Sequence, residues 1–294
     1  MGKKIAVIND LSGFGKCSLT AAIPVISVMG VQACPMPTAV LSAQTGYPSY
    51  FCDDFTDKME NIRSEWEKMN VSFDGIYTGY VADEKQILNI FRFLDTFQKE
   101  GTFLLTDPVM GDNGQVYTMY NDRLLELMKE LVCRADVVTP NLTELCLLSG
   151  GDYESLCQTK NTEDMLNDIE EMARNLVKKG PNTVLVTGIP FTDPSDGIRK
   201  IGNMAVDQKE RYLSAFPYGG ESYSGTGDVF ASVIAAGLAD KRGIKASMDL
   251  AGAFIEKAIL DSAKKNIPCN DGVEFEQHLE MLLNHKKGGD SYEQ

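Results

Sequence analysis

The sequence predicts an α/β protein with three layers, a mostly parallel central sheet carrying helices on both faces. Three observations carry that reading. Short apolar runs alternate with longer stretches of helical period from residue 4 to residue 187. The residues just after those runs are polar and rich in Gly and Thr, and the carboxyl ends of parallel strands are where ligands gather in open sheets. The chain has 294 residues, 43% of them apolar and 24% charged, enough to bury a large core without disulfides or a structural metal.

The first run is KIAVIN (4–9), followed by DLSGFGK and a helical pattern over 18–29. Strand, Gly-containing loop, Gly-Lys and helix suggest a phosphate loop, but the spacing excludes one. Gly-x-x-x-x-Gly-Lys-Ser/Thr requires Gly where Asp10 stands and Ser/Thr where Cys17 stands. Lys16 is then expected to be a solvated first-turn residue. Further strands are expected at 31–36, 74–79 (DGIYTG), 102–106 (TFLLT), 136–139 (DVVT) and 183–187 (TVLVT). Helices are expected at 55–69, 83–99, 119–132, 141–149 and 162–179, the last ended by Gly180-Pro181. Residues 198–206 and 209–216 then read as a hairpin about DQKE, followed by helical patterns at 227–240, 244–263 and 274–285. No repeat, low-complexity linker or composition break interrupts the chain. Residues 1–285 read as one domain and 286–294 as a polar tail.

A formal charge of −14 argues against nucleic acid or an anionic membrane as bulk partner, so any phosphate must be held locally. Seven cysteines without a C-x-x-C and only two histidines argue against zinc or a disulfide framework and for reduced, buried thiols. His278 and His285 are expected on a polar helix, solvated rather than catalytic. No run approaches a transmembrane span, and MGKKIAVIND carries no signal-peptide h-region, so a cytoplasmic location is expected.

Three stretches carry chemistry. In ESYSGTGDVFASVIAAGLAD (221–240), Gly225, Thr226 and Gly227 precede a long small-residue helix. Backbone N–H groups at its start, helped by the helix dipole, would stabilise an anion there. Asp228, in the same first turn, could accept a proton from a substrate hydroxyl beside that anion, or it could simply cap the helix. In TDPVMGDNGQVY (106–117), Asp107 and Asp112 could hold a hydrated Mg²⁺ or merely form turns. In TPNLTEL (139–145), Asn141 and Glu144 share a helix face, and they equally make a capping box.

GTGDVFAS, DPVMGD and TPNLTEL, in this order and spacing, resemble the ribokinase-like superfamily, and QTGYPSY (44–50) and YTGY (77–80) resemble its vitamin B6 kinase branch, near the hydroxymethylpyrimidine kinases. The likeness runs from residue 4 to about residue 265. It implies ATP-dependent phosphorylation of a hydroxymethyl group, with Asp228 as catalytic base and Gly225, Thr226 and Gly227 as anion hole. It implies that Asp107, Asn141, Glu144 and Thr187 serve ATP and Mg²⁺, with Asp107 and Glu144 reaching the metal through water. Asp10, Ser12, Thr45 and Tyr80 fall where the family holds the acceptor ring. The resemblance also implies a homodimer, use of a monovalent cation such as K⁺, and no large β-lid. The chain departs from the B6 kinases on the acceptor side, with Asp10 where Ser is common, Leu41 near an aromatic position, and Ala43-Gln44 where Asn-His is common. A hydroxymethylpyrimidine kinase and a non-catalytic B6 binder are the competing readings.

Overall fold

The computed structural model describes residues 2–218 and 222–283. β1 (Lys4–Ser12) leads through α1 (Ser18–Val28) to β2 (Gln32–Leu41) and the short β3 (Cys52–Asp54). Then follow α2 (Thr56–Lys68), β4 (Gly75–Thr78), α3 (Glu84–Phe97) and β5 (Phe103–Thr106). A small ribbon of β6 (Gly111–Asp112) and β7 (Gln115–Val116) precedes α4 (Asp122–Arg134), β8 (Val137–Val138), α5 (Leu142–Ser149), α6 (Tyr153–Gln158) and α7 (Thr162–Val177). β9 (Thr183–Thr192), β10 (Arg199–Val206) and β11 (Arg211–Pro217) are followed by α8 (Thr226–Ala239), α9 (Ile244–Lys264), two 3₁₀ turns and α10 (Glu280–Leu283).

Nine strands form one sheet in the order β11-β10-β9-β8-β5-β4-β1-β2-β3. The six from β9 to β2 are parallel, and the edges are antiparallel. Two cores flank it. One, with Ile76, Phe93, Leu104, Leu131 and Ile169, lies beneath α2–α5 and α7. The other joins α1, α8 and α9 through Leu19, Val25, Val233, Ala251 and Phe254. This is the three-layer arrangement the alternating pattern predicts. Trp66 packs on Phe73 and Phe93 at 5.5 and 6.1 Å, a helix-face role.

Several expectations are corrected. β2 runs to Leu41, five residues beyond the expected end, through Pro35 and Pro37. It pairs with β3 only at Ala39–Leu41, so the prolines lie where one side of the strand is open and a missing N–H costs little. The fourth helix starts at Asp122, not 119, because the Asn121 side chain accepts the Leu124 N–H at 2.8 Å. The last expected helix, 274–285, breaks into a 3₁₀ turn at Phe275–His278 and α10. Val273 and Phe275 are both buried, and residues two apart cannot share one helix face. His285 and residues 286–294 lie outside the described residues. His278 is packed rather than solvated, its Nε2 lying 3.1 Å from Asp261 Oδ2. All seven cysteines are free, but only Cys17 and Cys146 are buried, while Cys52, Cys133, Cys157 and Cys269 are exposed. Among the described residues no helix is long and apolar enough to cross a membrane.

Candidate active site

From β1 the chain moves to β2 on one side, and then to β4 on the other. The crevice between the carboxyl ends of β1 and β4 is therefore the topological switch point, where open sheets bind ligands. Asn9 and Asp10 lie near the end of β1, just past its last pair with β4, Ile8 with Thr78; Thr78 ends β4, and Gly79 and Tyr80 follow it.

α8 enters this crevice. Its cap is Gly225, at φ +80°, and a Cβ there would overlap the Lys16 carbonyl oxygen. Only glycine lets this loop lie against the start of α1 in that conformation. As at any helix start, the N–H groups of Thr226, Gly227 and Asp228 have no intrahelical acceptor. The position of a Gly227 Cβ is open space, so the loop offers its backbone to a ligand without obstruction. Behind it, residues 229–237 of α8 are all buried, which places the helix start at the centre of the molecule.

Asp228 is half-buried. Its Oδ1 accepts from Asn9 Nδ2 at 3.1 Å, and the Ser18 N–H also donates to its carboxylate. Ser18 opens α1 at φ +51°, a left-handed conformation that costs a serine about 1–2 kcal/mol. Burial, with the Asp10 charge adding to it, pushes the Asp228 carboxyl up to about 6, against the lowering effect of these two donors. Asp228 is thus a side chain held by donors from two other elements. Its partners come from β1 and α1 rather than from its own helix.

Asp10 is 5% exposed. Its Oδ2 accepts the Ser12 hydroxyl at 2.8 Å, so Ser12 serves Asp10 rather than facing open space. Burial raises the Asp10 carboxyl above its ordinary range. Tyr80 is half-buried beside it, and its backbone N–H donates to Asn9 Oδ1 at 2.9 Å. Thr45 is not brought in, its side chain being exposed on the turn after β2. Gln44 takes the interior place, donating to Asn270 O at 3.0 Å and Ser224 Oγ at 3.3 Å and accepting the Gly46 N–H at 2.7 Å. Lys16 is paired rather than solvated, with Glu274 and Glu276 both at 2.9 Å.

On the other flank, Asp107 ends the β5 run. Its Oδ1 accepts the Thr139 hydroxyl at 2.9 Å, and burial followed by the Asp228 charge raises its pKa. Glu144 is buried, and burial and the Asp107 charge raise its pKa too. Its two oxygens accept backbone N–H groups, Oε1 from Met110 at 3.1 Å and Oε2 from Asn141 at 2.8 Å. Asn141 Oδ1 accepts the Glu144 N–H at 3.0 Å, and its Nδ2 donates to Gly111 O at 2.8 Å. The capping box is therefore present, and it ties the β6–β7 ribbon to α5. Thr187 bridges to Asn141 through the backbone, its N–H meeting Pro140 O at 2.9 Å. Asp112 is exposed and accepts both N–H groups of Asn113.

Asp10, Asp228, Asp107 and Glu144 thus share a crevice, and none forms an ion pair with a described Lys, Arg or His. Carboxylates so placed suit an incoming cation. Among the described residues no three acidic, His or Cys side chains converge as a metal cage. That donor set fits Mg²⁺, which takes one or two carboxylates and completes its shell with water and phosphate oxygens.

A model of the phosphomethylpyrimidine kinase family matches residues 15–271. The chain belongs to that family. A Bacteroides thetaiotaomicron protein provisionally assigned to phosphomethylpyrimidine kinase activity, in a crystal form with pyridoxal, is 37% identical with a TM-score of 0.85, over 96% of each chain. Pyridoxal kinase from Lactobacillus plantarum superposes with a TM-score of 0.83 at 26% identity, over 97% of this chain and 98% of that one. Pyridoxal kinase PdxY of Leifsonia xyli is 28% identical over 242 residues, 79% of this chain and 80% of its own. The chain spans about half the length of two other curated relatives, 48% in each case. The ribokinase-like architecture expected from the sequence is borne out, as is the likeness to vitamin B6 kinases within this phosphomethylpyrimidine kinase family. The sequence alone does not pair Asn9 or the Ser18 N–H with Asp228. Asn9 is a polar residue ending a strand, and nothing in one sequence tells it from the other polar strand ends.

Proposed function

We propose that this chain is a vitamin B6 kinase, transferring the γ-phosphoryl group of ATP to the 5′-hydroxymethyl group of pyridoxal, pyridoxine or pyridoxamine. The observation that carries this is Asp228, held by donors from β1 and α1 in the first turn of α8, beside the open backbone of Gly225, Thr226 and Gly227. The Bacteroides relative with pyridoxal supports the acceptor.

Asp228 takes the hydroxyl proton as the alcohol oxygen bonds to the γ-phosphorus, and the bond to the leaving ADP oxygen breaks. The amides of residues 225–228 hold the transferring oxygens. Asp107, with an oxygen to spare beyond its Thr139 bond, would hold Mg²⁺ through water, and Glu144 would assist through its second lone pairs. Mg²⁺, when bound, neutralises charge on the β- and γ-phosphates. Asn141 and Thr187 flank the nucleotide, and K⁺ is its monovalent companion. Asp10 and Tyr80 face the acceptor, Ser12 acts through Asp10, and Thr45 reaches the acceptor if its turn closes. Residues 1–285 act as one kinase domain, followed by a tail at 286–294, in a cytoplasmic homodimer.

A coupled ADP-release assay over pyridoxal, pyridoxine, pyridoxamine, hydroxymethylpyrimidine and ribose tests the reading. Turnover of B6 vitamers is expected, and no turnover with any of them would overturn it. The family match favours one second reading, a hydroxymethylpyrimidine kinase, which preference for the pyrimidine would establish.

Asp10 bears on the choice of vitamer. A buried carboxylate without a cationic partner suits a protonated ring nitrogen or an amine. Asp10→Ser is expected to lower kcat/KM for pyridoxamine about tenfold more than for pyridoxal, as loss of a charged partner costs about 1.5–3 kcal/mol. Equal losses for both would remove the amine argument.

A further inference from the structure

We propose that Asn9 is a positioning residue for phosphoryl transfer, whose amide forks between the Asp228 carboxylate and the backbone of the two strand ends that flank the switch point. The inference rests on Asp228 being the base.

Asn9 has no exposed surface, and both the nitrogen and the oxygen of its amide are bonded. Nδ2 donates to Asp228 Oδ1 at 3.1 Å, while Oδ1 accepts the Asp10 N–H at 3.0 Å and the Tyr80 N–H at 2.9 Å. One planar group thus joins the base on α8, the end of β1 and the start of the loop after β4. Because the amide is planar and both its ends are occupied, it cannot turn without breaking a bond to one of the three. The position of the base is thereby referred to the residues facing the acceptor. Gly79 makes room for this arrangement, since a Cβ there would overlap the Asn9 amide.

The amide also meets an electrostatic need. The titratable groups facing Asp228 are Asp10 on β1, Cys17 at the start of α1, Tyr77 on β4, Asp107 after β5 and Tyr117 after β7. All are acids, and no described Lys, Arg or His pairs with Asp228. Asn9 Nδ2 and the Ser18 N–H are the donors that favour the ionised carboxylate, the form a base requires.

Asn9→Asp, which also adds a carboxyl beside Asp228, and the charge-neutral Gly79→Ala test this role together. Asn9→Asp keeps the shape of the side chain and an oxygen for the Asp10 and Tyr80 N–H groups, and replaces the donor to Asp228 by an oxygen. The acid limb of the single-turnover rate is expected to move up by about one pH unit or more. The rate at neutral pH should fall about twofold for a shift of one unit and about tenfold for two, with KM for ATP within about twofold of wild type. Gly79→Ala, which pushes the amide off Asp228 from outside, should give the same split and serves if Asn9→Asp does not fold. An unmoved acid limb in a folded variant, with Asp228→Asn inactive, would overturn the inference and leave the base in place. Near wild-type turnover by Asp228→Asn would overturn both.

Discussion

Asp228→Asn is expected to lower kcat by about 10²- to 10⁴-fold while KM for ATP changes by less than about threefold, because a positioned general base supplies that much and the substitution leaves the backbone N–H groups of residues 225–228 in place. The amide keeps the volume of the carboxylate but presents one oxygen to the two donors, Asn9 Nδ2 and the Ser18 N–H. The variant should therefore fold, with one donor left short of a partner, at about 1 kcal/mol or somewhat more. The wild-type rate should rise with pH as Asp228 ionises, its pKa being pushed up to about 6 by burial. The residual rate of the variant should lose that limb. A variant turning over at more than about a tenth of the wild-type rate would end the assignment of Asp228 as base.

The second large effect is expected at Gly225. Alanine there meets two penalties together. The backbone is at φ +80°, and the new Cβ would overlap a backbone carbonyl, that of Lys16, which cannot swing aside as a long side chain can. Left-handed strain of about 1–3 kcal/mol combines with overpacking of about 1–3 kcal/mol. Gly225→Ala is therefore expected to lose about 3 kcal/mol or more in denaturant unfolding. The displaced loop should also cost about 10²-fold or more in kcat, the scale of losing one oxyanion donor. Gly227 is the internal contrast. It has no positive φ and nothing near its Cβ position, so Gly227→Ala should unfold at the wild-type denaturant concentration or slightly above it. Wild-type stability in Gly225→Ala would show that the loop does not need its contact with the start of α1.

How much of this was legible in the sequence depended on whether a feature was local. The alternation of apolar runs and helical periods gave the parallel sheet, and the small-residue helix after GTGD gave α8 and its buried setting. Asn141 and Glu144 were legible as a capping box, which is a spacing rule. That Glu144 also anchors Met110 was not, because that partner lies 34 residues away. β3 and α6 were missed because they are short. Cys52–Asp54 is fully exposed, with no apolar alternation, and Tyr153–Gln158 buries a single residue, Leu156. Lys16 looked solvated because its partners, Glu274 and Glu276, come from the far end of the chain. Ser12 looked free because its bond to Asp10 depends on how β1 ends. Across the candidate site, residue types were readable and partners were not.

The stitching around Gln44 has a consequence for how the protein is made. Gln44 and Gly46 are tied to Asn270, Tyr47 to Asp271, Lys16 N–H to Asp271 O, and Ser224 N–H to Cys269 O. The acceptor-side loop is thus fastened by contacts some 224 residues apart in sequence. A chain emerging from the ribosome has its sheet and α8 long before it has residues 269–271, and contacts of such separation close last. Until that segment arrives, the loop before α8 and the loop after β2 share the Gln44–Ser224 bond but lack the anchor that residues 269–271 give to both. The two loops are therefore expected to gain their shared anchor only after residues 269–271 have been made.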